Sequence, residues 1–254
     1  EVLSALGGGT VSQSQGRPFQ SRGAWHLMIV AVTGLAREAR IVGGPGIQTV
    51  AGGGDANALE LRLAKELTRG VQRVISIGIC GALAPELRVG DAVIASKIIG
   101  PDNSYSTDEH WSQTFASLLP IAVVAPIAGT NEIAADREMK ALLRARTGAS
   151  AIDMESHIAA RLAQRAGIPF AALRVVSDTA DRTLPAAVRV AMLPSGNIDI
   201  TAVLRSLIRS PGQIPSLIRT AWESEIAFAA LLRCRRAIDF GLGADLGELA
   251  VDMR

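Results

Sequence analysis

The run LMIVAVT, at residues 27–33, is apolar and partly β-branched without interruption over the length of one strand. A strand with one solvated face alternates apolar and polar residues, whereas a continuous apolar run is typical of a strand buried on both faces. Sheets covered on both faces are characteristic of α/β proteins. The run therefore predicts a central strand of an α/β domain, ended by Gly34.

Strand and helix patterns alternate along the chain after this run. Asp55 is a suitable N-cap for a helix in which Leu59, Leu63 and Leu67 recur at helical spacing, and Gly70 ends that helix. The other predicted strands and helices are strands at 48–51, 73–77, 91–99, 121–127, 151–153 and 169–176 and helices at 36–41, 134–146 and 154–166. This order predicts one α/β domain over residues 27–199, with a twisted, mostly parallel mixed sheet flanked by helices.

Composition argues against several functional classes. A net charge of +2 is small for a general nucleic-acid binder, so no nucleic-acid partner is predicted. Cys80 and Cys234 form neither a disulfide framework nor a zinc pattern, and His26, His110 and His157 lack metal-ligand spacing. No apolar run reaches the roughly 18 residues of a membrane span. These features predict a cytoplasmic protein without a metal.

The two ends of the chain differ from the middle. Residues 1–26 are rich in Gly, Ser and Gln, and we expect a disordered leader, a cloning remnant or an upstream extension of the reading frame, with Met28 as the natural start. Residues 200–237 contain six arginines and two glutamates among many apolar residues, and prolines divide them into two helices. We expect these helices to pack on the domain, at a subunit interface or on a membrane, and residues 238–254 to form a loose tail.

Polar residues follow the predicted strands where they end. Glu38 comes just after the first strand, the segment 153–156 lies at a strand-to-helix junction, and Arg174 and the pair Ser177 and Asp178 lie near the end of a later strand. In α/β sheets, ligands bind outside the carboxyl ends of the strands. These side chains are therefore the candidates for a functional site.

The same segments carry a family resemblance. Its motifs lie in order along the chain: GLARE at 34–38, GICG at 78–81, GDAV at 90–93, IDMES at 152–156, GIPF at 167–170 and RVVSDTAD at 174–181. Together they resemble the nucleoside phosphorylase and nucleosidase superfamily over residues 28–185, with GICG as its glycine-rich turn. Several ordered motifs are specific, whereas any one alone would be weak.

The resemblance implies roles in cleaving a purine N-glycosidic bond. Asp178 matches the general acid that protonates purine N7, so that the base leaves as a neutral species, and its surroundings would have to favour its protonated form. Glu155 matches the residue that binds the ribose hydroxyls and favours developing positive charge, and Met154 the thioether under the sugar. Glu38 matches the position that orients the attacking water in the hydrolytic branch, and Arg174 a residue near that nucleophile.

The implied substrate site also includes Ser177 and the residues Gly78, Ile79 and Cys80. Many relatives have Ser or Thr where this chain has Ile79, and that side chain contacts phosphate or the nucleophile. The first βα turn also lacks the arginine pattern with which hexameric phosphorylases bind phosphate. Both departures favour attack by water.

Phosphate nevertheless stays open as an alternative co-substrate, because Arg174 and Arg37 have the charge to hold it. No other cofactor is implied.

Simpler structural roles also stay open for several of these residues. Glu155 could serve the N-terminal end of a helix, where acids favour the helix dipole, and Asp178 could be a turn residue or an N-cap. A salt bridge and an anion contact are equally consistent with Arg174 in an apolar strand. Cys80 is expected to pack beside Gly81, and His157 is expected to be structural.

Within the superfamily, the chain is most similar to the hopanoid-associated phosphorylase group, on GGGDA at 52–56, DMESH at 153–157 and PGQIP at 211–215. That resemblance implies removal of adenine from adenosylhopane, a lipid-linked nucleoside, and the superfamily implies a homo-oligomer. The apolar, arginine-bearing residues 200–237 could contact the hopane or make a peripheral contact at the inner membrane face. Residues 131–133 are a candidate for binding the base. The alternatives are a methylthioadenosine or S-adenosylhomocysteine nucleosidase, a purine or uridine phosphorylase, and a nucleoside-binding or membrane-docked interaction protein without activity.

Overall fold

The computed structural model describes residues 28–189, 196–197 and 199–238. The expected leader at residues 1–26 and the tail from 239 onward lie outside the described residues. The strands and helices are β1 (Ile29–Thr33), α1 (Ala36–Val42), β2 (Ile47–Ala51), α2 (Ala56–Leu67), β3 (Arg73–Ala82), β4 (Ala92–Ile99), β5 (Ser104–Ser106), α3 (Glu109–Leu118), β6 (Val123–Gly129), α4 (Arg137–Thr147), β7 (Ala151–Asp153), α5 (Ser156–Ala166), β8 (Phe170–Asp178), α6 (Ala186–Arg189), α7 (Ile200–Arg209) and α8 (Ile214–Ala237). This is the α/β domain with a mixed sheet that the sequence predicts.

The eight strands form one sheet with an unusual closure. Its order is β2-β1-β3-β7-β6-β4-β5, and β8 pairs with both β3 and β4. The strands β3, β7, β6, β4 and β8 therefore make a closed ring, while β1 and β2 extend from it on one side. Pairing of β1 with β2 and β3, of β3 with β8, of β4 with β6 and of β6 with β7 is parallel, and the other described pairs are antiparallel.

Apolar cores cover both faces of β1, as its continuous apolar run predicts. Val30 and Val32 belong to a cluster that includes residues of α2 and α5, whereas Ile29 and Ala31 belong to a cluster that includes residues of α3 and α8. Successive side chains of a strand point to opposite faces, so a strand buried between two helical layers needs apolar residues at every position.

The predicted helix ends are largely confirmed, with shifts at some starts. The Asp55 side chain accepts a hydrogen bond from the Ala58 amide at 2.9 Å, and Gly148 and Gly167 end their helices in the left-handed conformation. The helix predicted from residue 134 begins at Arg137, because Asp136 caps it. Likewise, the helix predicted from residue 154 begins at Ser156.

The interpretation of Gly78–Gly81 as a turn is wrong. These residues continue β3, which runs on to Ala82 and pairs with β8 through Gly81, with a register shift after Cys80. Glycine weakens strand propensity, but the neighbouring strand supplies the hydrogen bonds that keep the segment extended. β5 and α3 are also absent from the sequence prediction.

The C-terminal residues form two helices, as predicted, joined by a short 3-10 turn at Pro211–Gln213. The second half of α8 packs on the domain, where Ala227, Ala230 and Leu231 are buried in the core cluster shared with α3. No helix in the described part of the chain is both long and apolar enough to cross a membrane.

Candidate functional site

A cavity of about 140 Å³ opens beside the carboxyl ends of β1, β3, β7 and β8. Its lining residues include all three predicted catalytic residues and four of the six predicted substrate-binding residues: Glu38, Glu155, Asp178, Met154, Ser177, Ile79 and Cys80. Gly78 and Arg174 lie directly behind this wall. The strand ends therefore bring together residues that are up to 140 positions apart (38 to 178) in the sequence.

Arg174 is the centre of a buried ion-pair cluster. Its side chain is fully buried, its Nε lies 2.6 Å from Asp153 Oδ2, and its Nη2 lies 3.5 Å from Glu155 Oε2. Nη2 also donates to the Ser76 hydroxyl at 2.5 Å. The Nε–H is not aligned for a hydrogen bond to Asp153, so this contact is primarily an ion pair. The structure thus supports the salt-bridge alternative for Arg174.

This cluster contains more carboxyl groups than cations. Glu38, Asp153 and Glu155 face the single guanidinium of Arg174, so three ionised carboxylates would leave uncompensated buried negative charge. Burial raises the pKa of Glu155 to about 8, with Arg174 opposing the shift and Asp153 adding to it. Burial also raises the pKa of Glu38, and Arg174 again opposes the shift. Burial therefore favours a proton held among these carboxyl groups.

Three backbone amides fix the carboxyl group of Glu38. Its Oε2 accepts hydrogen bonds from Gly34 at 2.6 Å and Leu35 at 2.8 Å, and its Oε1 accepts one from Ile79 at 2.7 Å. At Ile79 the backbone amide, rather than the side chain, supplies the polar contact. A Cβ atom at Gly78 would lie 2.7 Å from Glu38 Oε1, so only glycine allows the carboxyl group this close to β3.

The Glu155 side chain also lies close to a glycine, Gly52, which follows β2. Glu155 is the residue before α5, and its side chain is buried against the loops that follow β1 and β2. A Cβ atom at Gly52 would lie 2.9 Å from Glu155 Cγ. Glu155 is the N-cap residue of α5 and its side chain makes no capping hydrogen bond, so the interaction with the helix dipole is the structural role that stays open.

Lys140 is a site residue that the sequence prediction missed. Its ammonium group is buried and forms an ion pair with Asp178 Oδ2. It also donates hydrogen bonds to the carbonyl oxygens of Thr179 at 2.8 Å and Arg182 at 3.2 Å. These contacts use the three N–H groups of the lysine and fix both the Asp178 side chain and the segment after β8.

Asp178 has its second carboxyl oxygen near the cavity wall. The Ser177 hydroxyl lies 2.9 Å from Asp178 Oδ1 and 3.1 Å from the Cys80 carbonyl oxygen. The Cys80 thiol is buried, and burial raises its pKa, so the group is an unreactive packing residue, as expected.

A second hollow adjoins the cavity beside Met154 and the predicted base-binding stretch. Glu132, Ile133 and Met154 line both the cavity and an adjoining hollow of about 350 Å³ that Gly53 and Gly54 also line. This places the predicted base-binding stretch beside the cavity.

The side chains of the neighbouring residues His157 and Asn131 contact each other. Their side chains are joined at 2.9 Å between His157 Nε2 and Asn131 Oδ1. Burial lowers the pKa of His157. The expectation of a structural histidine is consistent with this contact.

Arg37, the other predicted phosphate candidate, is turned away from the cavity. It forms an exposed ion pair with Glu225 of α8, and its guanidinium lies 4.1 Å from the centre of the Phe228 ring. Among the described residues, no group of three His, Cys, Asp or Glu side chains is placed to hold a metal ion.

Comparison with known proteins supports the fold and the motifs. A model of the phosphorylase superfamily matches residues 11–209. Aminodeoxyfutalosine nucleosidase from Helicobacter pylori is 28% identical over 136 residues, which cover 45% of this chain and 59% of that protein. The match thus spans less than two thirds of the relative's length.

Solved structures of two nucleosidases share the fold. Futalosine hydrolase of Helicobacter pylori has a TM-score of 0.54 at 17% identity, covering 72% of this chain and 98% of that one. A 5′-methylthioadenosine/S-adenosylhomocysteine nucleosidase from Neisseria meningitidis has a TM-score of 0.60 at 16% identity, covering 82% and 97%. The family match extends over most of the chain and agrees with the ordered motifs and the architecture. The chain belongs to the phosphorylase superfamily.

Proposed function

We propose that the protein hydrolyses the N-glycosidic bond of an adenine nucleoside. The observation that carries this proposal is the position of Glu38, Glu155 and Asp178 on one cavity, at the strand ends of a phosphorylase-superfamily domain. The nucleosidase names of the relatives support the reaction class.

Departure of the base is the task assigned to Asp178. A purine anion is a poor leaving group, and protonation of N7 lets the base leave as a neutral species. Proton transfer turns Asp178 into a carboxylate, which the Lys140 ammonium group contacts directly. Lys140 thus stabilises the carboxylate that the transfer leaves, and the same ion pair opposes the protonated form of Asp178 that is required before the transfer. Hydrogen bonds to two carbonyl oxygens keep the ammonium group in place.

Stabilisation of the sugar is the task assigned to Glu155. Breaking the bond leaves positive charge on the ribose ring, and a carboxylate within the cavity attracts that charge. Burial raises the pKa of Glu155 to about 8, and a developing cation beside the carboxyl group would favour its ionised form. Met154 lines the cavity beside it and offers an apolar surface to the ring.

Water is the proposed acceptor. A carboxylate offers about four acceptor positions. The three amide hydrogen bonds of Glu38 leave one position to orient a water molecule, whose proton passes to this carboxylate as the water oxygen bonds to the sugar carbon. Arg174 is occupied by Asp153 and Glu155, and Arg37 pairs with Glu225, so neither presents a free guanidinium to phosphate.

The preferred substrate within this class is adenosylhopane, in hopanoid lipid biosynthesis. Leu184 lines the cavity, and only three residues later the Ala187 amide donates to the Gln213 side chain in the turn between α7 and α8. The rim of the cavity thus lies close to a surface with exposed apolar residues. Methylthioadenosine and S-adenosylhomocysteine are the alternative substrates, which the fold shared with nucleosidases of that name favours.

Adenine release from a matched substrate set tests the proposal. The set is adenosylhopane in detergent, methylthioadenosine, adenosine and inosine, each with and without phosphate. We expect phosphate-independent adenine release, fastest from adenosylhopane. Faster release from methylthioadenosine would establish the alternative substrate, a phosphate requirement would establish a phosphorylase, and binding without release would establish a nucleoside-binding protein.

Assembly into a homo-oligomer of at least two subunits is part of the proposal. Ile121 and Val124, near the start of β6, are large apolar side chains exposed in the single chain, as expected for a subunit contact. Light scattering at micromolar concentration measures the assembly, and a monomer would contradict it.

A further inference from the structure

The helices α7 and α8 expose a cluster of large apolar side chains. On α7 these are Leu204 and Ile208, one helical turn apart, and on α8 they are Ile214, Ile218 and Trp222, spaced by four residues. Residues three or four positions apart lie on the same side of a helix, so each helix carries one apolar stripe. We call these five side chains the apolar stripes.

The exposure of these side chains is large. Ile208 is 83% exposed and Trp222 is 66% exposed, whereas Ala227 and Leu231 farther along α8 are fully buried against the domain. The stripes also approach each other along the chain, because Ile208 and Ile214 flank the short turn at Pro211–Gln213. Grouped exposure of this kind indicates a binding surface rather than isolated exposed residues.

The charge around the stripes is positive. Residues 200–222, which carry the stripes, contain three arginines and no acidic residue, whereas the whole chain has a net charge of only +2. Arg205 and Arg209 are exposed and directly follow Leu204 and Ile208. Within the described part of the chain, neither of these arginines forms an ion pair with a carboxylate.

These charges favour an anionic partner over a second copy of the chain. In a two-fold symmetric dimer formed through this surface, the patch of one protomer would face the same patch of its partner. Arg205 and Arg209 would then approach their own copies, which is unfavourable without intervening acids. An anionic bilayer instead offers an apolar interior and negative headgroups side by side, and tryptophan and arginine are typical of helices that lie in that interface.

We infer that α7 and the first half of α8 dock on the surface of an anionic lipid bilayer. The apolar stripes enter the boundary between headgroups and acyl chains, and Arg205 and Arg209 contact lipid phosphates. Docking does not depend on the proposed reaction. It places the cavity rim near the lipid, because Gln213 holds Ala187 at 3.0 Å and Arg182 contacts Glu223 of α8 at 3.3 Å.

Co-sedimentation of the full chain with vesicles tests the inference. The vesicles are phosphatidylcholine with phosphatidylglycerol, or phosphatidylcholine alone. We expect binding to the anionic vesicles, a decrease in the partition coefficient of about tenfold or more for the double variant Ile218→Ser with Trp222→Ser, and a similar decrease for Arg205→Glu with Arg209→Glu. The matched control is Leu61→Ser with Leu142→Ser, which removes exposed apolar side chains from α2 and α4 and should bind as the wild type does.

Two further measurements make a negative result decisive. Far-UV circular dichroism shows whether each variant is folded, which is expected because all substituted side chains are exposed. The Trp222 emission, obtained by subtracting the spectrum of Trp222→Phe, should shift to shorter wavelength on anionic vesicles. The inference would be overturned if the wild type did not bind, or if the variant Ile218→Ser with Trp222→Ser bound equally well. It would also be overturned if the wild type were a dimer and that variant a monomer, because the surface would then be a subunit interface.

Discussion

Proteins usually bury apolar side chains and expose charged ones, and both the cavity wall and the C-terminal helices depart from this pattern. The cavity wall buries charge, most completely at Arg174 and Lys140, whereas the C-terminal helices expose apolar side chains such as Ile208 and Trp222. Both of these buried cations have carboxylate partners within the chain. The exposed apolar residues have no comparable cover among the described residues. The buried cations of the cavity wall are therefore paired within the domain, whereas the C-terminal helices present an apolar surface to a partner outside it.

Asp178→Asn should separate the two regions most strongly. The amide cannot deliver the proton to purine N7, so we expect adenine release to fall by roughly 10²- to 10⁴-fold. Binding to anionic vesicles should not change, because Asp178 is distant in sequence from the apolar stripes and lies on the cavity. Parallel release and co-sedimentation assays measure both. Unchanged turnover would remove Asp178 from the mechanism.

Lys140→Met tests how much the buried ion pair between Lys140 and Asp178 contributes to the free energy of unfolding. The substitution leaves Asp178 and two carbonyl oxygens without their donor, and breaking a buried ion pair costs about 3–5 kcal/mol. We expect a decrease of that size in the free energy of unfolding, measured with urea. Lys65→Met, at an exposed position on α2, is the control and should have little effect. Equal stability of the two variants would show that the Lys140 pair is not needed.

The pH dependence of stability gives an effect of comparable size from the same region. The pKa of Glu155 is about 8 in the folded chain and near its ordinary value of 4.5 in the unfolded chain. Between those values the folded state holds a proton that the unfolded state has released, so stability falls as pH rises. We expect the unfolding temperature to decrease from about pH 4.5 to about pH 8, and Glu155→Gln to flatten the decrease. Glu38 has a raised pKa as well, so part of the slope should persist. An identical slope in the variant would contradict this account.

Glu225→Gln should have the smallest effect. Its ion pair with Arg37 lies at the surface, where solvent screens the charges, and such pairs contribute little to stability. We expect the unfolding temperature to stay within experimental error. A clear loss would mean that charged groups at the surface of α8 matter as much as those in the cavity.

Local sequence patterns predicted the fold well where they depend on few neighbours. The apolar run of β1, the Asp55 cap and the glycines that end α4 and α5 all have direct local causes. Gly78–Gly81 was misjudged because glycine indicates a turn locally, whereas pairing with β8 is a long-range contact. Closure of the ring through β8 was likewise invisible in the sequence.

The site residues were likewise predicted where a local motif marks them and missed where only a long-range contact does. Ordered motifs placed Glu38, Glu155 and Asp178 on one cavity, although their chemical roles stay predictions. Lys140 was missed because it lies in a helix that also carries Arg137, Glu138 and Arg144, where lysine is ordinarily solvated. Only the packing of α4 against the end of β8 reveals that its ammonium group is buried.

The closed ring of strands has a consequence for how substrate preference can change. Amide hydrogens in β3 and β8 are hydrogen-bonded on both sides of each strand, so we expect them to exchange with solvent only when much of the domain opens. The part of the cavity wall formed by β3 and β8 would therefore stay nearly rigid while a nucleoside is bound. New specificities would have to arise in the loops and helices at the rim, which can lengthen or shorten while the ring is inherited intact.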